Sequence, residues 1–390
     1  MIQTKKEVQK MPATQIYSVV NTLAQNLQYS GNTVIDPSTF AAFASSTMSG
    51  SLEPVYNELY NLIGRTVIAI DEAEDEERGI IVDSFDYGSI MRKLSYISQN
   101  AQSNSDYDIQ NPESPYAVLP KSGVVQKFFE QTIPTFSWED VQYDKQLREA
   151  FHDPSSLAGF WDGLYTRMYN EYKIAKLGLA DAAIGALIAH VVSDTNDMNY
   201  SRRVRNLLTE FTGTYTQFAG LTADEALVTP EYLEFVRKQI LIDQKNLNKL
   251  THLYNEIGAS GSEVPIDRRS KIDDLNLDIS LNIATSYQKF WGDTFNDEYV
   301  QFPKHNEIVN WGIATEPEQV KITLDGGQTT TTVSDIIGVM YDKDAVVATM
   351  DRSRFVSIYD EWNDRNVFKL AADRRYIVDP TENAIVYLNA

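Results

Sequence analysis

Residues 153–192 read DPSSLAGFWDGLYTRMYNEYKIAKLGLADAAIGALIAHVV, and the rest of the chain is organised around this stretch. Leu157, Trp161, Leu164, Met168, Tyr172, Ala175 and Leu179 recur in alternating steps of three and four, which puts them on one stripe of an α-helix. Asp153 before Pro154 is a start signal. The carboxylate can accept from the first free backbone N–H groups, and proline at the first helical position has no N–H to leave unpaired. The spacing predicts a single helix over 154–192, roughly 58 Å long at about 1.5 Å per residue, with its stripe facing a core. Gly163, Gly178 and Gly185 lie inside it, each costing up to about 1 kcal/mol relative to alanine, and are expected to permit a close approach or a bend. Few compact enzymes need so long a rod.

Upstream, residues 124–141 carry Phe128, Phe129, Ile133, Phe136, Trp138 and Val141 around Pro134, which predicts extended chain leading into the helix. Before that the character changes. Asp71-Glu72-Ala73-Glu74-Asp75-Glu76-Glu77 is an acidic run, and residues 98–123 are rich in Ser, Asn, Gln, Pro and Gly, from which no core can be built. Strand character at 66–70, 80–82 and 116–119 turns this long excursion into a predicted hairpin whose tip reaches toward a partner. A short helix is expected after Ser51, through Val55, Leu59 and Ile63. Residues 33–51 show no convincing period and are expected to be extended chain and turns. Residues 1–32 combine a basic tip (Lys5, Lys6, Lys10) with one amphipathic helix over about 14–28, a start expected to order on something else.

Downstream, residues 201–258 are helical in pattern, with a capping box at Thr222 and Glu225 and a second start at Thr229-Pro230. From Leu275 the period falls to two: Leu275, Leu277, Ile279, Leu281 and Ile283 alternate with polar residues as in a half-buried strand. Residues 321–324 and 328–333 flank Asp325-Gly326-Gly327 as a hairpin, and 336–340, 345–348, 375–378 and 384–388 read as further strands. Helices and strands fall in blocks and not in βαβ alternation, so the predicted class is α+β.

Composition narrows the function. The 390 residues are 43% hydrophobic, enough for a substantial core, and carry a formal charge of −21 from 55 acids and 34 bases. Such a surface does not grip nucleic acid by neutralising phosphates, although DNA could move past it without sticking. With no cysteine there is no disulfide, thiolate metal site or cysteine nucleophile. No secretory signal or transmembrane segment is read, and a soluble intracellular protein is expected. The 22 tyrosines, 16 phenylalanines and 5 tryptophans suit large contact surfaces, or stacking on sugars.

Motifs for chemistry are weak throughout. No phosphate-cradling glycine loop is present, and His152, His190, His252 and His305 are too scattered for a helical zinc pair. Gly258-Ala259-Ser260-Gly261-Ser262 approaches a nucleophile elbow but ends in serine. Asp274, Asn276 and Asp278 resemble the opening of a calcium loop, yet Ile279 holds the glycine position and the strand reading prevails. No cofactor, metal or catalytic residue is predicted. Two readings remain: a structural subunit whose hairpin, rod and aromatic surface join copies together, or an acidic carbohydrate-binding or carbohydrate-hydrolysing protein.

The order of elements, with Leu59-Tyr60-Asn61-Leu62-Ile63-Gly64-Arg65-Thr66-Val67-Ile68 before the excursion, Phe136-Ser137-Trp138-Glu139 before the long helix, and Tyr341-Asp342-Lys343-Asp344 through Tyr359, Trp362 and Phe368 to the last strand, resembles a known family. It is similar to the major capsid proteins of tailed bacteriophages, of HK97-like fold, and among them to those of small phi29-like podophages. The resemblance implies an N-terminal arm and short helix at 1–65, an extended loop (E-loop) at 66–124, a peripheral domain with a spine helix at 125–200 plus 340–390, and an axial domain at 201–339. It implies a non-enzymatic shell subunit forming hexamers and pentamers of an icosahedral or prolate head around double-stranded DNA, located in the virion and assembled in the host cytoplasm. Scaffolding, portal and head-decoration proteins are the further partners it implies, with no membrane. Encapsulin-like compartments share the fold and stay open as an alternative. Expected contacts between copies are the acids Asp71, Glu72, Glu74, Asp75, Glu76 and Glu77 against a basic patch at Arg374 and Arg375, and the arm through Lys5, Lys6 and Lys10.

Overall fold

The computed structural model describes residues 13–27, 34, 36–48, 54–55, 58–59, 80, 90–96, 124–130, 135–194, 202–251, 253–255, 267–291, 303–309, 311, 319–324, 329–360 and 362–390. Two helices come first, α1 (Ala13–Asn26) and α2 (Pro37–Met48). The antiparallel ribbon of β1 (Ile90–Tyr96) and β2 (Val124–Glu130) follows, then β3 (Thr135–Tyr143), the short helix α3 (Asp144–Ala150) and the long helix α4 (Pro154–Asp194). A lobe opens with β4 (Val204–Asn206), α5 (Leu207–Thr214), α6 (Ala223–Ala226) and α7 (Pro230–Leu247). It continues through β5 (Leu275–Ser280), α8 (Leu281–Trp291) and β6 (Asn306–Ile308). The chain ends in strands: β7 (Val320–Leu324), β8 (Thr329–Val333), β9 (Ile336–Asp342), β10 (Val346–Asp360), β11 (Arg365–Val378) and β12 (Ala384–Leu388).

The long helix runs 41 residues, two past its predicted end, and every member of its predicted stripe is buried. Asp153 caps it: one carboxylate oxygen accepts from the backbone N–H groups of Ser155 and Ser156, both at 2.8 Å. Those bonds, with the Ser155 and Ser156 hydroxyls, hold the Asp153 carboxyl at a pKa of about 2. By length and composition the Pro154–Ser193 helix could cross a membrane, with a mean hydropathy of 1.6 over its most apolar 18 residues. Most of its apolar side chains are nonetheless spent inside the protein: Ala183, Ile184, Leu187, Ile188 and Val191 are fully enclosed. Gly163 and Gly178 face open space within this chain, so neither serves a close approach between the described elements.

Three cores share this helix and the lobe. Its N-terminal half packs with α1, α2, α3 and Phe368 of β11; its C-terminal half packs with the β7–β8 hairpin, β9, the start of β10 and β12. The third core joins α5, α7 and α8 to one face of a sheet of order β4-β12-β9-β5-β6. The sheet is mixed: β12 and β5 flank β9 antiparallel, while the short edges β4 and β6 are parallel to their neighbours. β10, β11 and β3 make a separate antiparallel sheet against the long helix.

Several expectations need correction. Residues 37–48 are a helix: Asp36-Pro37 repeats the Asp153-Pro154 start, Asp36 accepts from the Thr39 N–H at 2.8 Å, and Phe40, Phe43 and Ala44 are buried. Helix α1 orders on this chain's own long helix, burying Val20 and Leu23 there. Strand β5 stops at Ser280 and a helix takes over, so Leu281 and Ile283 lie on α8. The helical pattern predicted to reach Gly258 ends at Leu247. Among the described residues the paired strands of the excursion are 90–96 and 124–130, so a returning strand lies beyond the predicted limit at 124; residues 81–82 lie outside the described residues. A boundary at 339/340 would cut through β9, and β12 belongs to the lobe's sheet. Strand 66–70, the acidic run and strand 116–119 lie outside the described residues.

Candidate contact surfaces

The outer face of the three-stranded sheet is built by strand alternation. Directly paired residues share a face, so the register sets Val356, Lys369 and Glu139 in one row across the sheet and Ile358, Val367 and Val141 in the next. Asp360, Arg365 and Tyr143 form the third row. The alternate residues point inward: Phe368, Asn366 and Gln142 are buried toward the long helix, where Arg167 bonds Asp140 at 2.7 Å. Outward, the middle row is apolar and flanked by ion pairs, Lys369 with Glu139 at 3.6 Å and Arg365 with Asp360 at 2.9 Å. Ile358 is 62% exposed, and Val141, Tyr143 and Val356 are exposed beside it. At the turn joining β10 to β11, Trp362 is 96% exposed. That turn is firmly built. The Asp360 carboxylate accepts from the Trp362 N–H, Asn363 Nδ2 and Arg365 Nε; Asp364 takes a φ of 46°, and its carbonyl accepts from the Asp144 N–H at 3.0 Å. These bonds to Asn363 and Arg365 hold the Asp360 carboxyl below its ordinary range.

Charges inside the lobe are committed to holding it together. Arg205 donates to Glu210 and, at 2.6 Å, to the buried Asp243, which also accepts from the Tyr387 hydroxyl at 3.1 Å. Burial pushes the Asp243 carboxyl above its ordinary range, against the pull of Arg205 and Tyr387. Burial also works against the Arg205 charge, but Glu210 and Asp243 more than offset it and raise the guanidinium. Asp278 is fully buried on β5 and accepts from Asn306 Nδ2 at 2.8 Å and from the Tyr341 hydroxyl at 3.1 Å. Asp274 pairs with Lys343 at 2.6 Å. The carboxylates that resembled a calcium loop thus have protein partners, Asp278 on strand β5 and Asp274 in the helical turn just before it. Among the described residues no cluster of three metal-ligating side chains occurs.

The sequence profile of the Phi29-like phage major capsid protein family matches residues 16–388. The chain belongs to that family. It is a structural subunit of a phage head and is located in the virion. The fold is similar to that in the capsid structure of Staphylococcus phage Andhra, at 9% identity and a TM-score of 0.53, over 80% of this chain and 83% of that one. It is also similar to a chain in the structure of the head fiber and inner core protein gp22 of native bacteriophage P68, at 10% identity and a TM-score of 0.50, over 80% and 83% of the two chains. No curated protein matches the sequence.

In this capsid subunit the predicted contact residues are not brought to one described place. Asp71, Glu72, Glu74, Asp75, Glu76, Glu77, Lys5, Lys6 and Lys10 lie outside the described residues. Arg374 sits opposite Met350 in the β10–β11 register. Arg375 is only 7% exposed, so it is not the surface cation expected. The exposed face of the sheet was overlooked in the sequence. Its signal is present in Arg354-Phe355-Val356-Ser357-Ile358-Tyr359, a run with β-formers at most positions, but the charges around it mask a period.

Proposed function

We propose that the capsid subunit assembles into hexamers and pentamers of an icosahedral or prolate head enclosing double-stranded DNA, with no catalytic role of its own. The family match across 16–388 carries this reading, and the described carboxylates support it by being engaged in structural pairs. Residues 66–130 act as the limb that lies across a neighbouring copy. In support, β1 and β2 find their main contacts in each other, and a lone two-stranded ribbon is marginal in water. The clasping part of the arm is its basic tip, Lys5, Lys6 and Lys10, since α1 and α2 are already packed on the long helix. The lobe, with β9 and β12 added to 201–339, forms the contacts around the symmetry axes. Scaffolding, portal and decoration proteins are the further partners, and assembly takes place in the host cytoplasm.

The acidic run contacts a basic patch of an adjacent copy, with Arg374 the remaining candidate. Reversing Asp71, Glu72, Glu74, Asp75, Glu76 and Glu77 to lysine is expected to leave a folded subunit that forms no shells under electron microscopy. Unaltered shells from that variant would remove this contact from the proposal.

A further inference from the structure

We propose that the end of α7 and the chain packed beside it, carrying Lys245, Lys249, Leu250, Arg269, Lys271 and Ile272, form the surface that receives the acidic run 71–77 of an adjacent copy. The inference rests on the shell reading above and on its contact between that run and a neighbour. With Arg375 buried, the contact is left with Arg374, one cation for six acids. A better match in charge lies in the lobe. Lys245 and Lys249 stand four residues apart at and just past the end of α7, and the chain returns against them. Thr251 and Arg268 exchange backbone hydrogen bonds at 3.0 and 2.9 Å, and the Ser270 N–H donates to the Leu247 carbonyl at 3.0 Å. Arg269 Nε donates to the Asn248 carbonyl at 2.9 Å, which ties this cation to the same turn.

All four cations are exposed, and Leu250 and Ile272 are exposed among them, at 65% and 44%. Acids of the same stretch are committed elsewhere: Asp243 is buried against Arg205, and Asp274 pairs with Lys343. Among the described residues, Lys245, Lys249 and Lys271 make no ion pair. In a chain of net charge −21 this local surplus of cations selects an acidic partner. The two apolar side chains choose between acidic partners. They add nothing against the phosphates that dominate nucleic-acid binding, but they suit a protein segment that is both acidic and apolar. The acidic run belongs to such a segment, since Val67, Ile68 and Ile70 come directly before its six acids.

The test is a swap of charge. Lys245→Glu, Lys249→Glu and Lys271→Glu are combined in one chain, and Arg269 is kept because it holds the turn. This chain is expected to melt at the unmodified temperature and to form no shells under electron microscopy. Mixed in equal amounts with the chain whose acidic run is reversed to lysine, it should regain association, read by light scattering. Each run then meets a surface of opposite sign on the other chain. Shells from the glutamate variant at the unmodified concentration would overturn the proposal, as would two folded variants that stay apart when mixed. Recovery when both reversals share one chain, but not in the mixture, would place the contact inside a single subunit and overturn it too. The milder Lys245→Gln, Lys249→Gln and Lys271→Gln chain guards against misfolding; it should need about tenfold more protein to assemble, and no change overturns the proposal. Duplex DNA bound by the free subunit and lost in the glutamate variant, with shells unaffected, would give the surface to nucleic acid instead. Failure of the unmodified chain to form shells, alone or with its partner proteins, would defeat the shell reading itself.

Discussion

Two aspartates begin two helices by the same means, yet only one was read from sequence. Asp153-Pro154 stood before an obvious stripe; Asp36-Pro37 stood before Phe40-Ala41-Ala42-Phe43-Ala44-Ser45-Ser46, where small residues blur the helical period. Both carboxyls are held at a pKa of about 2 by local hydrogen bonds, below the unfolded value of about 3.9. A lowered folded pKa gives stability that is present above the unfolded value and lost as pH falls through about 2. Asp153→Ala is therefore expected to lower the melting temperature at pH 7, Asp153→Asn to lower it less, and the wild-type advantage over Asn to vanish near pH 2. Circular-dichroism melts across that range check it. At Gly338 an added Cβ would stand 3.0 Å from the Asp278 carbonyl oxygen on the neighbouring strand. Gly338→Val should cost about 1–3 kcal/mol by overpacking, measured by urea unfolding. Asp278→Ala removes a buried acceptor from the Tyr341 hydroxyl and the half-buried Asn306 amide and should cost about 1–3 kcal/mol, with Asp278→Asn milder.

Among the elements, the long helix was legible because its signals agreed: a cap, a proline, a stripe and no breaker of consequence. The Thr222–Glu225 capping box, the 320–333 hairpin and the final strand were legible for the same reason. β10 and β11 were seen only at their ends. One face of each lies against the long helix and the other carries charges, valines and an isoleucine, so neither period stands out over 349–374. Strand β5 was read too long because the alternation of Leu275, Leu277 and Ile279 continues by chance into Leu281 and Ile283, whose burial serves a helix. Residues 183–189 of the helix are buried on every side. Leu187→Ala, at a fully buried position, is thus expected to cost about 2–5 kcal/mol, while an exposed change such as Asn170→Ala should fall within about 0.5 kcal/mol. Denaturant melts of the two variants provide the comparison.

At the scale of the whole molecule, class and family were within reach of the sequence because they depend on the order of elements, and contact residues were not. Whether a strand's arginine faces a neighbour or its own core is decided by pairing register, which composition does not contain. Arg375 is buried and Ile358 is exposed, and composition tells neither. The outer face of the three-stranded sheet received no attention in the sequence, yet Val141, Val356 and Ile358 stand exposed on it.

The placement of β12 has a further effect on how the subunit is made. Residues 384–388 lie between β9 and β4 in the middle of the lobe's sheet, so that sheet has a gap until they leave the ribosome. Chains still being translated therefore carry an unfinished lobe. A product that stops before residue 384 is by the same logic expected to leave β9 and β4 without the strand that joins them.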